Sequence, residues 1–319
     1  MRILAWHVHA AWMTSFVQGA HEYYVPVLSD RGPDGMGRAQ TYPWPDSVRE
    51  LTPEELRRTD FDVVVLQRPH ELELFHRWTG HALGRNGRPA VYVEHNTPRG
   101  DVNDWRHPLA DRGDIPIVHV TEFNRTMWDN GLAPAEVIEH GVPDYGYQYT
   151  GTLDSLVVSI NEPVRRSRVA GLDLVATIAE QVPVSVYGLG TEELSARIHR
   201  GLAVTGSLSQ DELHRRMAMH FAYLHPYRWT SLGLALIEAM TLGMPVLVVA
   251  ATAAPEAVPP ETGVVTSRLD LLARTASRWL SDPDEARRCG LAARAHALAH
   301  FGLPRFLDDW DRMLKEVCR

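Results

Sequence analysis

The stretch HPYRWTSLGLALIEAMTLGMPVLVV, residues 225–249, decides how this chain is read. It has the order of a loop, a helix, a glycine stop and a buried strand. One carboxylate, Glu238, is the only ionisable group between Leu232 and Met240. An unpaired charge among apolar neighbours is costly, so Glu238 requires a partner, either an arginine of the protein or a ligand. At the helix start, Thr230, Ser231, Leu232 and Gly233 offer backbone N–H groups that no helical carbonyl satisfies. An anion is stabilised there by those donors and by the helix dipole. The plainer reading is an ordinary N-cap on Thr230 or Ser231. An anion-binding helix start with a carboxylate two turns on points to a phosphorylated sugar or a nucleotide.

Outward from this stretch, short runs rich in β-branched residues alternate with polar or amphipathic ones. Arg2–Val8, Asp62–Gln67, Ala90–Glu94, Ile115–Val120 and Ala135–Glu139 read as strands. The Tyr/Gly/Gln/Thr-rich segment from Pro143 to Gly151 reads as a linker. Strands then resume at Leu156–Ile160, Val184–Tyr187, Leu202–Thr205 and Phe221–Leu224, with helices over Ala170–Gln181, Gln210–Met219, Leu269–Leu280 and Pro283–His300. A last amphipathic helix, Leu303–Val317, closes the chain and is expected to pack back on the first domain. Such alternation is the signature of parallel sheets with helical crossovers. The expectation is two doubly wound α/β domains in tandem, residues 1–147 and 148–302. Ligands of such sheets bind beyond the carboxyl ends of the strands. The polar residues to examine are therefore His7, His9, Gln67, Arg68, His70, His95, Asn96, Asn161, Tyr187 and His225.

Composition narrows the partners. The 319 residues carry a formal charge of −8. Residues 1–150 hold 14 Arg and no Lys against 21 Asp and Glu, a balance of −7. Nucleic acid and stable membrane association are poor matches for that surface. Lys315 is the only lysine, so a phosphate held by a side-chain cation must be held by arginine or histidine. Two cysteines, Cys289 and Cys318, fit a reducing compartment. No apolar run is long enough to span a membrane, and a cytoplasmic location is expected.

Four stretches of the second half, SINEPVRRSRVAGLDLV, VSVYGLG, LAVTGSLSQDELHRRMA and the 225–249 segment, occur in an order and spacing that resembles the retaining family 4 group of glycosyltransferases. The segment VIEHGVPD is similar to that group's strand–Asn–Gly–Val–Asp turn, with His140 in place of Asn. The resemblance covers most of residues 115–300 and implies the GT-B architecture, two Rossmann-like domains facing a cleft. It implies a nucleotide-sugar donor on the second domain as co-substrate, with no further cofactor, and a small-molecule acceptor on the first. Glu238 falls where the family contacts the donor ribose. The family's first glutamate would stand at position 230, which is Thr230 here, and this puts the identity of the sugar in question. The family's Arg and Lys on the diphosphate have only Arg165, Arg166 and Arg168 to replace them, and these otherwise form a solvated basic turn. Ser231, Leu232, Gly233 and Gly188 complete the implied donor site. His95, at the end of AVYVE, takes the place of a histidine near the donor sugar, as a catalytic candidate.

His7, His9, Trp12 and Asn96 are the expected acceptor contacts. A histidine at the end of the first strand could be a general base in an inverting enzyme of the same fold, or a core residue. Metal readings are poor. His7 and His9 lack a third ligand, His296 and His300 lack a carboxylate at metal spacing, Asp60 and Asp62 precede their strand, and Asp282 caps a helix. Two other readings stay open, a sugar-nucleotide epimerase or phosphorylase of the same fold, and a non-catalytic glycosyltransferase partner, which Thr230 keeps in view.

Overall fold

The computed structural model describes residues 1–197, 202–206 and 208–319; Ser207, within one of the four stretches above, lies outside them. The chain divides into two compact units, Met1–Gly141 with Leu303–Arg319, and Val142–Gly302.

The first unit runs β1 (Arg2–Ala5), α1 (Ala10–Phe16), β2 (Glu22–Pro26), β3 (Val48–Leu51), α2 (Pro53–Arg58), β4 (Val63–Leu66), α3 (Glu71–Thr79), β5 (Ala90–Glu94), β6 (Ile117–His119), α4 (Glu122–Met127) and β7 (Ala135–Val137). Its sheet has the order β3-β2-β1-β4-β5-β6-β7, every pair parallel. The central strands are continuous hydrophobic runs because helices cover both faces. Val63–Leu66 is buried at every position, as is Ala90–Glu94.

The second unit runs β8 (Leu153–Ser159), α5 (Ser167–Ala170), α6 (Leu172–Ala179), β9 (Val184–Tyr187), β10 (Leu202–Thr205), α7 (Gln210–Met217), β11 (His220–His225), α8 (Leu234–Thr241), β12 (Val246–Val249), α9 (Ala254–Ala257), β13 (Gly263–Thr266), α10 (Leu269–Ser281) and α11 (Pro283–His300). The order β10-β9-β8-β11-β12-β13 is again wholly parallel. The chain then returns to the first unit as α12 (Leu303–Val317). Phe306, Trp310, Met313 and Leu314 form its buried stripe. Trp310 packs edge-on against Trp12 and Phe16, with ring centroids 5.5 and 5.2 Å apart.

The structure corrects several boundaries. The first strand stops at Ala5, and α1 takes up the chain from Ala10. The expected Ala170–Gln181 helix is two shorter ones, broken at Gly171, which takes a left-handed conformation at φ +75°. Residues 143–151 are not a free linker. The N–H groups of Gln148 and Tyr149 bond the Leu242 carbonyl, those of Thr150 and Gly151 bond Ala218, and the Tyr149 hydroxyl donates to Phe221. No helix among the described residues is long and apolar enough to cross a membrane.

Candidate active site

In each unit the chain builds one side of its sheet and then reverses. The reversal lies between β1 and β4 in the first unit and between β8 and β11 in the second. Ligands of open α/β sheets bind at the carboxyl ends of the strands at this switch point. In the second unit, Arg165, Arg166 and Arg168 follow β8, Gly188 follows β9, and Thr230 to Gly233 follow β11. The sheet topology thus brings the expected donor residues to one end of one sheet.

Glu238 sits on α8 at 7% exposure. Among the described residues its partners are not arginines. Gln210 Nε2 donates to Oε1 at 3.2 Å, and His214 Nε2 lies 3.4 Å from Oε2 without hydrogen-bond alignment. Gln210 Nε2 also donates to the Tyr145 hydroxyl at 2.9 Å, and the Tyr145 and His214 rings lie 4.3 Å apart. A carboxylate has about four acceptor positions, so these contacts leave acceptor capacity on both oxygens.

The start of α8 is capped by Gly233, with no side-chain cap bond. The alternative of a Thr230 or Ser231 cap is therefore corrected. Ser231 and Leu232 are buried, and Thr230 is half-buried. A Cβ at Gly233 would lie 2.6 Å from His225 Cε1, so only glycine lets the His225 ring seat against the helix start. Burial holds His225 down to about 3, as a neutral imidazole, and its buried Nδ1 has no hydrogen-bond partner among the described residues. Gly188 takes φ +141°, and a Cβ there would lie 2.2 Å from the Ile160 carbonyl oxygen, which brings the ends of β8 and β9 together.

The three arginines are not equivalent. Arg165 pairs with Glu162, its Nε 2.9 Å from Oε1, and Arg168 pairs with Asp173 at 3.0 Å. Both side chains are mostly exposed, and their charge is neutralised locally, as in a solvated turn. Arg166 is half-buried and lies over the Tyr227 ring, 5.7 Å from its centroid. Arg228, which sequence reasoning passed over, grips Asp173 with two bonds of 2.6 and 2.7 Å.

In the first unit the strand ends gather histidines. His95 Nε2 lies 3.1 Å from Gln67 Oε1, and the His95 ring lies 4.1 Å from that of His9 and 5.1 Å, edge-on, from Trp12. Burial, with His9 and His140 nearby, holds His95 well below the usual histidine range. Two expected acceptor contacts are buried. Trp12 is 1% exposed and packs on Phe16, Phe306 and Trp310; it backs His95 and has no surface for a ligand. His7 is buried, with Nδ1 2.9 Å from the Gly37 carbonyl and its ring 4.7 Å from Trp44. His9 stays half-buried and Asn96 exposed. The Asn96 carbonyl accepts from Asn124 and Trp128. Gln67 was among the expected strand-end residues, without a role; the residues missed were Gln210, His214 and Glu71. The spacing of Gln210, His214 and Met217 along one face of α7 was the available signal.

Residues 179–296, the span that carries α7, α8 and Glu238, match the family model described as Glycosyl transferases group 1. No curated protein matches the sequence. In structure the chain is similar to sucrose-phosphate synthase from Thermosynechococcus elongatus, with a TM-score of 0.74, 13% identity and 99% of each chain covered. It is similar to Anabaena Alr3699/HepE solved with UDP and glucose, with a TM-score of 0.73, 15% identity and 99% of each chain covered. AviGT4, a glycosyltransferase involved in avilamycin A biosynthesis, gives 0.65 and 16% identity over 100% of this chain and 98% of its own. The fold is GT-B.

Proposed function

We propose that this chain, a glycosyltransferase by its group 1 domain and its GT-B fold, moves a sugar from a nucleotide-sugar donor to a hydroxyl or amine of a small soluble acceptor, with retention and without a metal. The observation that carries the reading is Glu238. It is a carboxylate held almost out of water by Gln210 and His214, with acceptor capacity left over, on the helix that starts at the switch point of the second sheet. Two ribose hydroxyls, each a donor, suit that remaining capacity.

The donor diphosphate would lie at the start of α8, on the N–H groups of its first turn. Arg166 would supply the charge, since Arg165 and Arg168 are already paired. Together they would stabilise the charge that develops on the departing diphosphate. His95 would meet the transferred sugar, and His9 and Asn96 the acceptor. The acidic balance of residues 1–150 supports a soluble acceptor and a cytoplasmic setting over a lipid surface. Thr230 favours one other reading, a chain that binds the donor and has lost turnover.

Turnover separates these. Purified chain is incubated with a panel of nucleotide sugars, with and without an acceptor library, in the presence of a chelator. Release of nucleoside diphosphate that requires an acceptor, with the anomeric configuration kept, is the expected result. Rearranged nucleotide sugar without acceptor would indicate an epimerase, and donor binding without any product would indicate the non-catalytic partner. Vesicle flotation should leave the chain unbound to anionic lipid; tight binding would remove the soluble-acceptor reading.

A further inference from the structure

We infer that Gln67 is a positioning residue that fixes the tautomer of His95, so that His95 meets its substrate with a hydrogen-bond acceptor, Nδ1, and not with an N–H. The inference deepens the proposed function and rests on it only for what His95 meets.

The constraint begins at a backbone carbonyl. The Trp6 oxygen lies 2.6 Å from Gln67 Nε2. A carbonyl only accepts, so the end of the amide facing it must be the NH2 group, and the flipped amide is excluded. Gln67 Oε1 therefore faces the imidazole, 3.1 Å from Nε2. An amide oxygen also only accepts, so His95 Nε2 carries the proton. In a neutral imidazole the other nitrogen is then a bare acceptor.

The ring is kept neutral by burial and by the two other titratable rings facing it, His9 and His140. No protein atom among the described residues hydrogen-bonds its Nδ1. Gln67 is itself held in place. Its N–H and that of Arg68 donate to Glu71 Oε2 at 2.7 and 3.1 Å, and Arg68 Nε donates to Glu71 Oε1 at 2.7 Å. Glu71, at the start of α3, is fully buried. A run of bonds thus extends from α3 through the end of β4 to the residue after β5, and the His95 ring is gripped by His9 on its face and Trp12 at its edge.

The consequence is selective. A sugar hydroxyl can donate to Nδ1. An ionised phosphate oxygen only accepts and finds no proton there. His95 is thereby assigned to a hydroxyl of the sugar or acceptor, and not to the leaving phosphate.

Long-range ¹H–¹⁵N NMR of the full chain at neutral pH reads the tautomer directly, with the His95 signals identified by their loss in His95→Ala. The expected result is a protonated Nε2 and an unprotonated Nδ1; an Nδ1–H tautomer overturns the inference. Gln67→Leu should leave a mixture of tautomers, and a single unchanged tautomer in that variant removes the role of Gln67. If Gln67→Leu does not fold, Gln67→Met serves. It keeps the length of the side chain and removes the amide oxygen, so a mixture of His95 tautomers is again expected; a single unchanged tautomer counts against the inference. The proposed function fails separately. An inert chain with the Nε2–H tautomer loses the transferase reading and keeps the positioning role, while an active chain with Nδ1–H does the reverse.

Discussion

At Glu238 the buried carboxylate accepts a hydrogen bond from Gln210 of α7, with His214 of the same helix alongside. At the arginines the opposite holds: three similar side chains close in sequence have different surroundings. Arg165 is spent on Glu162 and Arg168 on Asp173, while Arg166 lies over an aromatic face. Arg166→Ala should weaken donor binding about 10-fold, the size of one charge-assisted hydrogen bond, and Arg165→Ala should change it little. Equal losses in calorimetric titration would contradict this ranking. Gly233→Ala would place a methyl group against the His225 ring and should lower stability by roughly 1–3 kcal/mol in denaturant unfolding. An unchanged midpoint would mean that the ring has room to move. The residue type and position of Glu238 were legible in the sequence because a lone charge stands out in an apolar run. Its partners were not, because Gln210 and His214 lie one crossover earlier and read alone as polar helix residues.

Helices α12 and α3 do their work at a distance from their own sequence. The stripe Phe306, Trp310, Met313 and Leu314 was readable as an amphipathic face, and it covers Trp12 and Phe16 of α1. Arg305 at its start donates to the carbonyls of Glu139 and His140, so α12 also holds the turn that brings His140 toward His95. Trp310→Ala should cost about 3–5 kcal/mol and broaden the His95 resonances. A loss below about 1 kcal/mol, on the same scale, would show that α12 is not part of the first unit's core. Of the strands the sequence hid, β2 and β3 stand at one edge of the first sheet and β13 at an edge of the second. Val48–Leu51 is VREL, half-exposed and charged, so it lacks the continuous apolar run that marks the central strands. Parallel pairing with β2, a tertiary contact, makes it a strand.

Over the whole molecule, buried histidines give the fold a definite response to acid. Burial holds His119 and His220 down to about 4 and His225 to about 3. In the unfolded chain they would titrate near 6.5. Between these values the unfolded chain binds protons that the folded one refuses. Their contribution is therefore present above pH 6.5 and is lost as the pH falls toward 4 and then 3. At pH 5 the loss is about 2 kcal/mol for each histidine, a large share of an ordinary domain's stability. Thermal unfolding should shift clearly downward from pH 7 to pH 5, and a flat profile would show that these imidazoles accept protons in the folded state. The tandem doubly wound plan itself was legible, because alternation of strand and helix runs through the chain and restarts after residue 151. In the proposed reaction the second unit binds a nucleotide through Glu238. Calorimetric titration of nucleoside diphosphates into the wild type and Glu238→Gln tests it most directly. At least one nucleotide should bind the wild type, and the variant should bind it about 10- to 100-fold more weakly, the worth of hydrogen bonds to a charged group. Equal affinity in both proteins, or no binding by the wild type, would contradict it.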